Sequence, residues 1–208
     1  MFENLSGFVE SPMGIGITLI VILFILFLIL KSDDKNEKFD TKALTLSALL
    51  IALSMVLGQI KLFPMPQGGS VTLLSMLPIT YLGYLCGVKK SVMAGMVVGL
   101  LNLIFNPYVI HPVQLLLDYP IAFGAMGLSG LSRKNINIGY ITGVSGRYIC
   151  AVLSGIIFFG AYAPEGWNAV KWSLWYNITY IAAEALITLI VINLPPVKNA
   201  LKRLKNSL

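Results

Sequence analysis

Val113-Gln114-Leu115-Leu116-Leu117-Asp118-Tyr119-Pro120-Ile121-Ala122-Phe123-Gly124-Ala125-Met126-Gly127-Leu128-Ser129-Gly130-Leu131 is a long apolar stretch holding one carboxylate, Asp118. At 1.5 Å per helical residue it reaches about 28 Å, close to the thickness of a bilayer's hydrocarbon core. The stretch reads as a membrane-spanning helix. A carboxylate inside such a helix costs about 2.5–3.5 kcal/mol on insertion scales, and groups that expensive face a cavity, a partner or a ligand. Asp118 is therefore a candidate binding residue.

The remaining sequence is of the same kind. Of its 208 residues, 57% are hydrophobic and only 12% charged, against about 25% charged in soluble domains. Seven apolar spans are read, at 14–30, 43–60, 72–88, 91–105, 113–131, 139–161 and 170–193. They are helical in length, not the roughly ten-residue alternating strands of a membrane barrel. An all-α integral membrane protein with seven spans is predicted. Its divisions are an extra N-terminal transmembrane helix within 1–31, a charged tether at 32–42, a six-helix membrane domain at 43–194 and a basic tail at 195–208. Residues 1–12 carry Glu3 and Glu10 and no Lys or Arg, the reverse of a signal peptide's basic start. Cys86 and Cys150 each fall in apolar runs, which gives neither a disulfide framework nor a metal-ligand spacing.

Lys and Arg set the orientation. The tether holds Lys31, Lys35, Lys38 and Lys42; later loops on that side hold Lys89, Lys90, Arg133 and Lys134. The tail adds Lys198, Lys202, Arg203 and Lys205. Only Lys61 and Lys171 fall on the opposite side, and Arg147 lies within a span. The crowded side is expected in the cytoplasm, with the N-terminus outside and the C-terminus inside. The net charge of +6 is then a matter of topology and needs no nucleic-acid partner. The basic tail is also placed to meet anionic lipid.

Depth sorts the polar residues. Asp118 and Asn177 lie at similar distances below the outer ends of their helices, and Tyr108, Phe159, Tyr162, Trp167, Trp172, Trp175 and Tyr176 cluster at the same level. An interfacial aromatic belt accounts for single Trp and Tyr residues here, but not for Asp118 or Asn177. One carboxylate among aromatic rings is the equipment for holding a flat organic cation. Arg147 and Glu184 fall deeper, at matching depth on consecutive antiparallel spans. They are expected to form a structural ion pair, since an unpaired buried charge is costly. His111, the sole histidine, has no nucleophile or second carboxylate placed to work with it, so no catalytic activity is expected. Gly68-Gly69 lacks the spacing and lysine of a phosphate loop. With no nucleotide motif in the chain, ATP-driven work falls to another protein. Ala48 and Ala52 form a small-xxx-small pair that permits close helix approach in lipid.

Three separated segments resemble one family in order. Lys61-Leu62-Phe63-Pro64-Met65-Pro66-Gln67-Gly68-Gly69-Ser70-Val71-Thr72-Leu73-Leu74-Ser75-Met76-Leu77-Pro78 is similar to the first outer loop and second core helix of the thiamine-specific S components of energy-coupling factor (ECF) transporters. Leu117-Asp118-Tyr119-Pro120-Ile121-Ala122-Phe123 and Gly155-Ile156-Ile157-Phe158-Phe159-Gly160-Ala161-Tyr162-Ala163-Pro164-Glu165-Gly166 resemble the same family. The resemblance implies a six-helix, multi-pass protein of the bacterial plasma membrane that captures thiamine from outside with high affinity. It also implies an energising module of one T subunit and two ATPase subunits, with thiamine as transported ligand and no cofactor. On that footing Asp118 faces the thiazolium or the aminopyrimidine with Tyr119 beside it. Tyr108, Phe159 and Trp172 form aromatic walls, and Asn177 donates or accepts at the pyrimidine. Phe63, His111, Ala151, Trp167 and Tyr176 are further pocket or lid positions. Ala48 and Ala52 match the family's alanine motif for docking on the T subunit. Ala151 stands where the family is expected to carry histidine, and the helix at 14–30 is additional to the usual six. The alternative class is a self-sufficient proton- or ion-coupled transporter of thiamine, a precursor or another small vitamin, with Arg147 and Glu184 as its relay.

Overall fold

A computed structural model describes Ser11 and residues 41–206; the expected helix at 14–30 and most of the tether lie outside the described residues. Helix α1 (Thr41–Gln59) leads into a hairpin of β1 (Lys61–Pro64) and β2 (Ser70–Thr72), then α2 (Leu77–Cys86) and α3 (Val88–Phe105). A composite helical run follows: α4 (Pro112–Leu116), a π turn (Leu117–Ile121), α5 (Ala122–Ala125) and a 3-10 stretch (Met126–Leu131). Two long helices, α6 (Ile136–Phe158) and α7 (Ala169–Asn193), and a terminal α8 (Pro195–Asn206) complete the described chain. Helices α1, α3, α6 and α7 are long and apolar enough to cross a membrane, and α2 is a shorter apolar helix. The protein is thus a helical membrane protein with, among the described residues, four candidate spans plus shorter apolar helices.

Two expectations need correction. The span read at 72–88 becomes helical only at Leu77, and the all-α description omits the antiparallel hairpin. Leu74 takes a left-handed conformation with φ of 59°, which helical backbone does not tolerate. Pro78 occupies the first turn of α2, where its missing N–H costs nothing. The apolar run is continuous in composition but not in backbone geometry. In the hairpin, Gln67 and Gly68 have φ of 55° and 87°, which closes the turn between Pro64 and Ser70.

The composite run is gripped on both sides by glycines that let backbones approach closely. A Cβ on Gly99 of α3 would fall 2.4 Å from the Tyr119 carbonyl oxygen, and one on Gly143 of α6 would fall 2.4 Å from the Met126 carbonyl oxygen. Gly99→Ala should therefore displace the π turn itself. The expected cost is about 1–3 kcal/mol, the range for overpacked interiors, read as a lower melting temperature in detergent.

At the lysine-rich end, α8 lies against the body. The Tyr81 hydroxyl donates to the Leu201 carbonyl at 2.6 Å, and Lys205 Nζ sits 3.6 Å from the Tyr84 ring centroid. Lys198, Lys202 and Arg203 remain exposed on this helix. On α1, Ala48 and Ala52 are exposed together with Leu44, Leu49, Leu53 and Val56.

Candidate functional site

Away from the lysine-rich end, the elements enclose a cavity of about 390 Å³. Its walls come from the ends of α1 and α3, the hairpin turn, the loop after α3, α4 with the π turn, and the halves of α6 and α7 that meet near Phe159 and Trp172.

Asp118 lies within the π turn, two residues before Pro120. Proline cannot donate to the carbonyl four residues back and its ring crowds that carbonyl, so the helix widens locally. One turn earlier on the same face, Gln114 is buried to 1% exposure. Its Nε2 donates to Asp118 Oδ2 at 2.6 Å and to the Tyr108 carbonyl at 3.1 Å, while its Oε1 accepts from the Ile110 amide at 3.1 Å. The carboxylate is thereby held in a set orientation and tied to the loop that carries Tyr108.

Tyr119 also lines the cavity, with its hydroxyl committed to the same loop. It accepts from the Tyr108 amide at 2.7 Å and donates to the Asn106 carbonyl at 2.9 Å. Lys61 Nζ donates to Asn106 Oδ1 at 3.2 Å, joining the hairpin to that loop. So fixed, Tyr108 stacks on Phe159 with centroids 6.0 Å apart.

On α7, Trp172, Tyr176, Asn177 and Tyr180 face the cavity. Asn177 Nδ2 donates to the Ser173 and Ala151 carbonyls at 2.9 and 3.2 Å, and its Oδ1 accepts from the Tyr180 hydroxyl at 2.9 Å. These bonds leave the amide oxygen with one unused lone pair for a ligand. The Tyr176 hydroxyl accepts from the Gly69 amide at 3.1 Å and donates to the Pro66 carbonyl. That ring pins the hairpin turn across the cavity.

Asp118, Tyr119, Tyr108, Phe159, Trp172, Asn177, Ala151 and Tyr176 therefore line one cavity. Phe63, His111 and Trp167 lie off it. Phe63 is 65% exposed on β1. His111 Nδ1 caps α4 by accepting from the Val113 amide at 3.1 Å, and its ring stacks on Phe158. Trp167 packs edge-on against Trp172 and Trp175.

The expected ion pair between Arg147 and Glu184 is not formed. Glu184, 3% exposed, accepts through Oε2 from the Thr72 amide at 3.0 Å and the Thr72 hydroxyl at 2.6 Å. Its Oε1 accepts from the Ser75 hydroxyl at 2.9 Å and the Met76 amide at 3.2 Å. The carboxylate thus stabilises the start of α2, where orphan amides and the helix dipole favour an anion. Arg147 lines the cavity instead, its guanidinium carbon 4.5 Å from the Phe123 ring centroid. Two residues at equal depth had been rotated onto different faces.

Gln114, Tyr180 and Arg147 were not read from the sequence as cavity residues. Gln114 carried a usable signal, since residues four apart on a helix are neighbours. Among the described residues, no three His, Cys, Asp or Glu side chains gather to hold a metal ion.

The family described as "Thiamine transporter protein (Thia_YuaJ)" matches residues 44–204. The chain is 36% identical over 164 residues to Thiamine transporter ThiT of Bacillus subtilis, covering 71% of this chain and 84% of that relative. It is 30% identical over 168 residues to Thiamine transporter ThiT of Lacticaseibacillus paracasei, covering 70% and 82%. A solved structure of ThiT from Listeria monocytogenes superposes with a TM-score of 0.63 at 28% identity, covering 72% of this chain and 90% of that one.

Proposed function

The chain belongs to the Thia_YuaJ family of thiamine transporter proteins, and we propose that it captures thiamine in this cavity as the substrate-binding S component of an ATP-driven ECF importer. One observation carries the reading. A carboxylate fixed by a buried glutamine stands on the wall of a cavity lined by Tyr108, Phe159 and Trp172. Thiamine is a monocation built of two flat aromatic rings, so charge pairing with Asp118 and ring contact with the aromatics complement its two features. A volume of about 390 Å³ falls within the range of small-molecule sites.

The side carrying Lys89, Lys90, Arg133, Lys134 and α8 is the cytoplasmic one by the distribution of Lys and Arg. The cavity then faces the outer medium, beneath the hairpin turn that Tyr176 holds. In this reading residues 43–194 form the six-helix S-component core, and the segment preceding it is an accessory helix and tether. The exposed face of α1, with Ala48 and Ala52 between larger apolar residues, suits close helix packing with a T subunit. Two ATPase subunits would supply the energy. A self-sufficient ion-coupled transporter loses its proposed relay, because Glu184 is engaged by four donors and is separated from Arg147.

Thiamine should bind the purified protein saturably, without ATP or an ion gradient, and quench tryptophan fluorescence through Trp172. Proteoliposomes holding this chain alone should show no uptake, and addition of the T subunit and ATPases with ATP should start it. Gradient-driven uptake by the chain alone would overturn the S-component reading.

A further inference from the structure

Arg147 is a charged cavity residue that the proposed cation site does not use. It lies eleven residues from the Phe158 end of α6, about 16 Å along the axis. Asp118 lies six residues from the Pro112 end of the composite run, about 9 Å in. The guanidinium thus lines the deep end of the cavity and the carboxylate its middle. Ala151, one turn above Arg147 on α6, is too small to cover it and lines the same space. Arg147 makes no hydrogen bond to any described residue; its close contact is the Phe123 ring.

This is an unusual state for an arginine. The side chain carries five N–H donors and no acceptor. At membrane depth such a group is expensive unless it is satisfied or lines a cavity. A ring face offsets part of the charge but satisfies none of the in-plane N–H donors. Asp118 supplies a counter-charge in the same cavity without bonding to Arg147. The cavity therefore presents an acceptor-only pole in its middle and a donor-only pole at its floor.

We propose that Arg147 is a specificity-determining ligand contact, donating hydrogen bonds to an acceptor atom on the end of the ligand that enters deepest. This rests on the cavity being the thiamine site. Thiamine offers two acceptors of the required kind, an aminopyrimidine ring nitrogen at one end and the hydroxyethyl oxygen at the other. A ligand with the same cation and no acceptor at its deep end forfeits the contact.

The test combines two variants with two ligand changes. Wild type, Arg147→Met and Arg147→Lys are titrated with thiamine, a thiamine analogue lacking the hydroxyethyl oxygen, and one with its pyrimidine ring nitrogens replaced by CH. Arg147→Met should bind thiamine about ten- to a hundred-fold more weakly, the scale of a hydrogen bond to a charged group. One analogue should lose a similar factor on wild type and lose nothing further on Arg147→Met. Arg147→Lys should restore part of the affinity. The melting temperature without ligand should stay near wild type, while the ligand-induced rise shrinks.

Three results would overturn the proposal. They are unchanged thiamine affinity in folded Arg147→Met, equal losses for thiamine and both analogues, and failure of both variants to fold, which would assign Arg147 to the structure. Absence of thiamine binding by wild type would instead remove the site reading on which the proposal stands.

Discussion

Asp118→Asn is expected to weaken thiamine binding about ten- to a hundred-fold in a tryptophan-fluorescence titration. The substitution keeps the shape of the side chain and its contact with Gln114 while removing the charge. A hydrogen bond to a charged group is worth about 1.5–3 kcal/mol, and each 1.4 kcal/mol is tenfold in affinity. The same change removes a counter-charge to Arg147 from the cavity, so melting without ligand is measured alongside. Unchanged affinity in folded Asp118→Asn would end the case for this carboxylate as the cation's partner.

Glu184→Gln is expected to lower stability without touching the cavity's charge. The Glu184 carboxylate accepts from two amides and two hydroxyls at the start of α2. Glutamine offers one oxygen and one NH₂ group, so its NH₂ is turned toward a donor wherever it is placed. The hydroxyls can reorient; the Thr72 and Met76 amides cannot. At least one buried N–H is left without a partner, at about 1–3 kcal/mol. For a chain of this size that lowers the melting temperature by several degrees. Glu184→Ala should cost more, since both amides and both hydroxyls lose their acceptor. Combining Glu184→Gln with Arg147→Gln should give the sum of the two separate effects, whereas a true ion pair would show rescue. A double variant more stable than Glu184→Gln alone would contradict the separation of Glu184 from Arg147.

The two carboxylates show what can be read from sequence and what cannot. Both are ionisable residues inside apolar spans, and both were singled out by their cost. For Asp118, its neighbours along the chain carry part of the meaning. Gln114 is four residues away on the same face, and Pro120, two residues on, opens the π turn that holds it. For Glu184, every partner lies more than a hundred residues away. No local pattern connects it to Thr72, Ser75 and Met76. The late start of α2 has the same origin, because hydropathy records composition and is blind to the left-handed Leu74 that interrupts the helix.

By itself, the sequence determined the membrane class, the apolar segments between 43 and 193, the lysine-rich side and the depth of each polar residue. Transfer from water to lipid depends on composition along one axis, and composition is local. Only the tertiary structure decided which polar residues meet. That depends on the rotation of each helix about its axis, set by glycine contacts such as Gly99 against Tyr119 and by turns such as the hairpin under Tyr176. Depth placed Arg147 beside Glu184; rotation sent one to the cavity floor and the other to the start of α2.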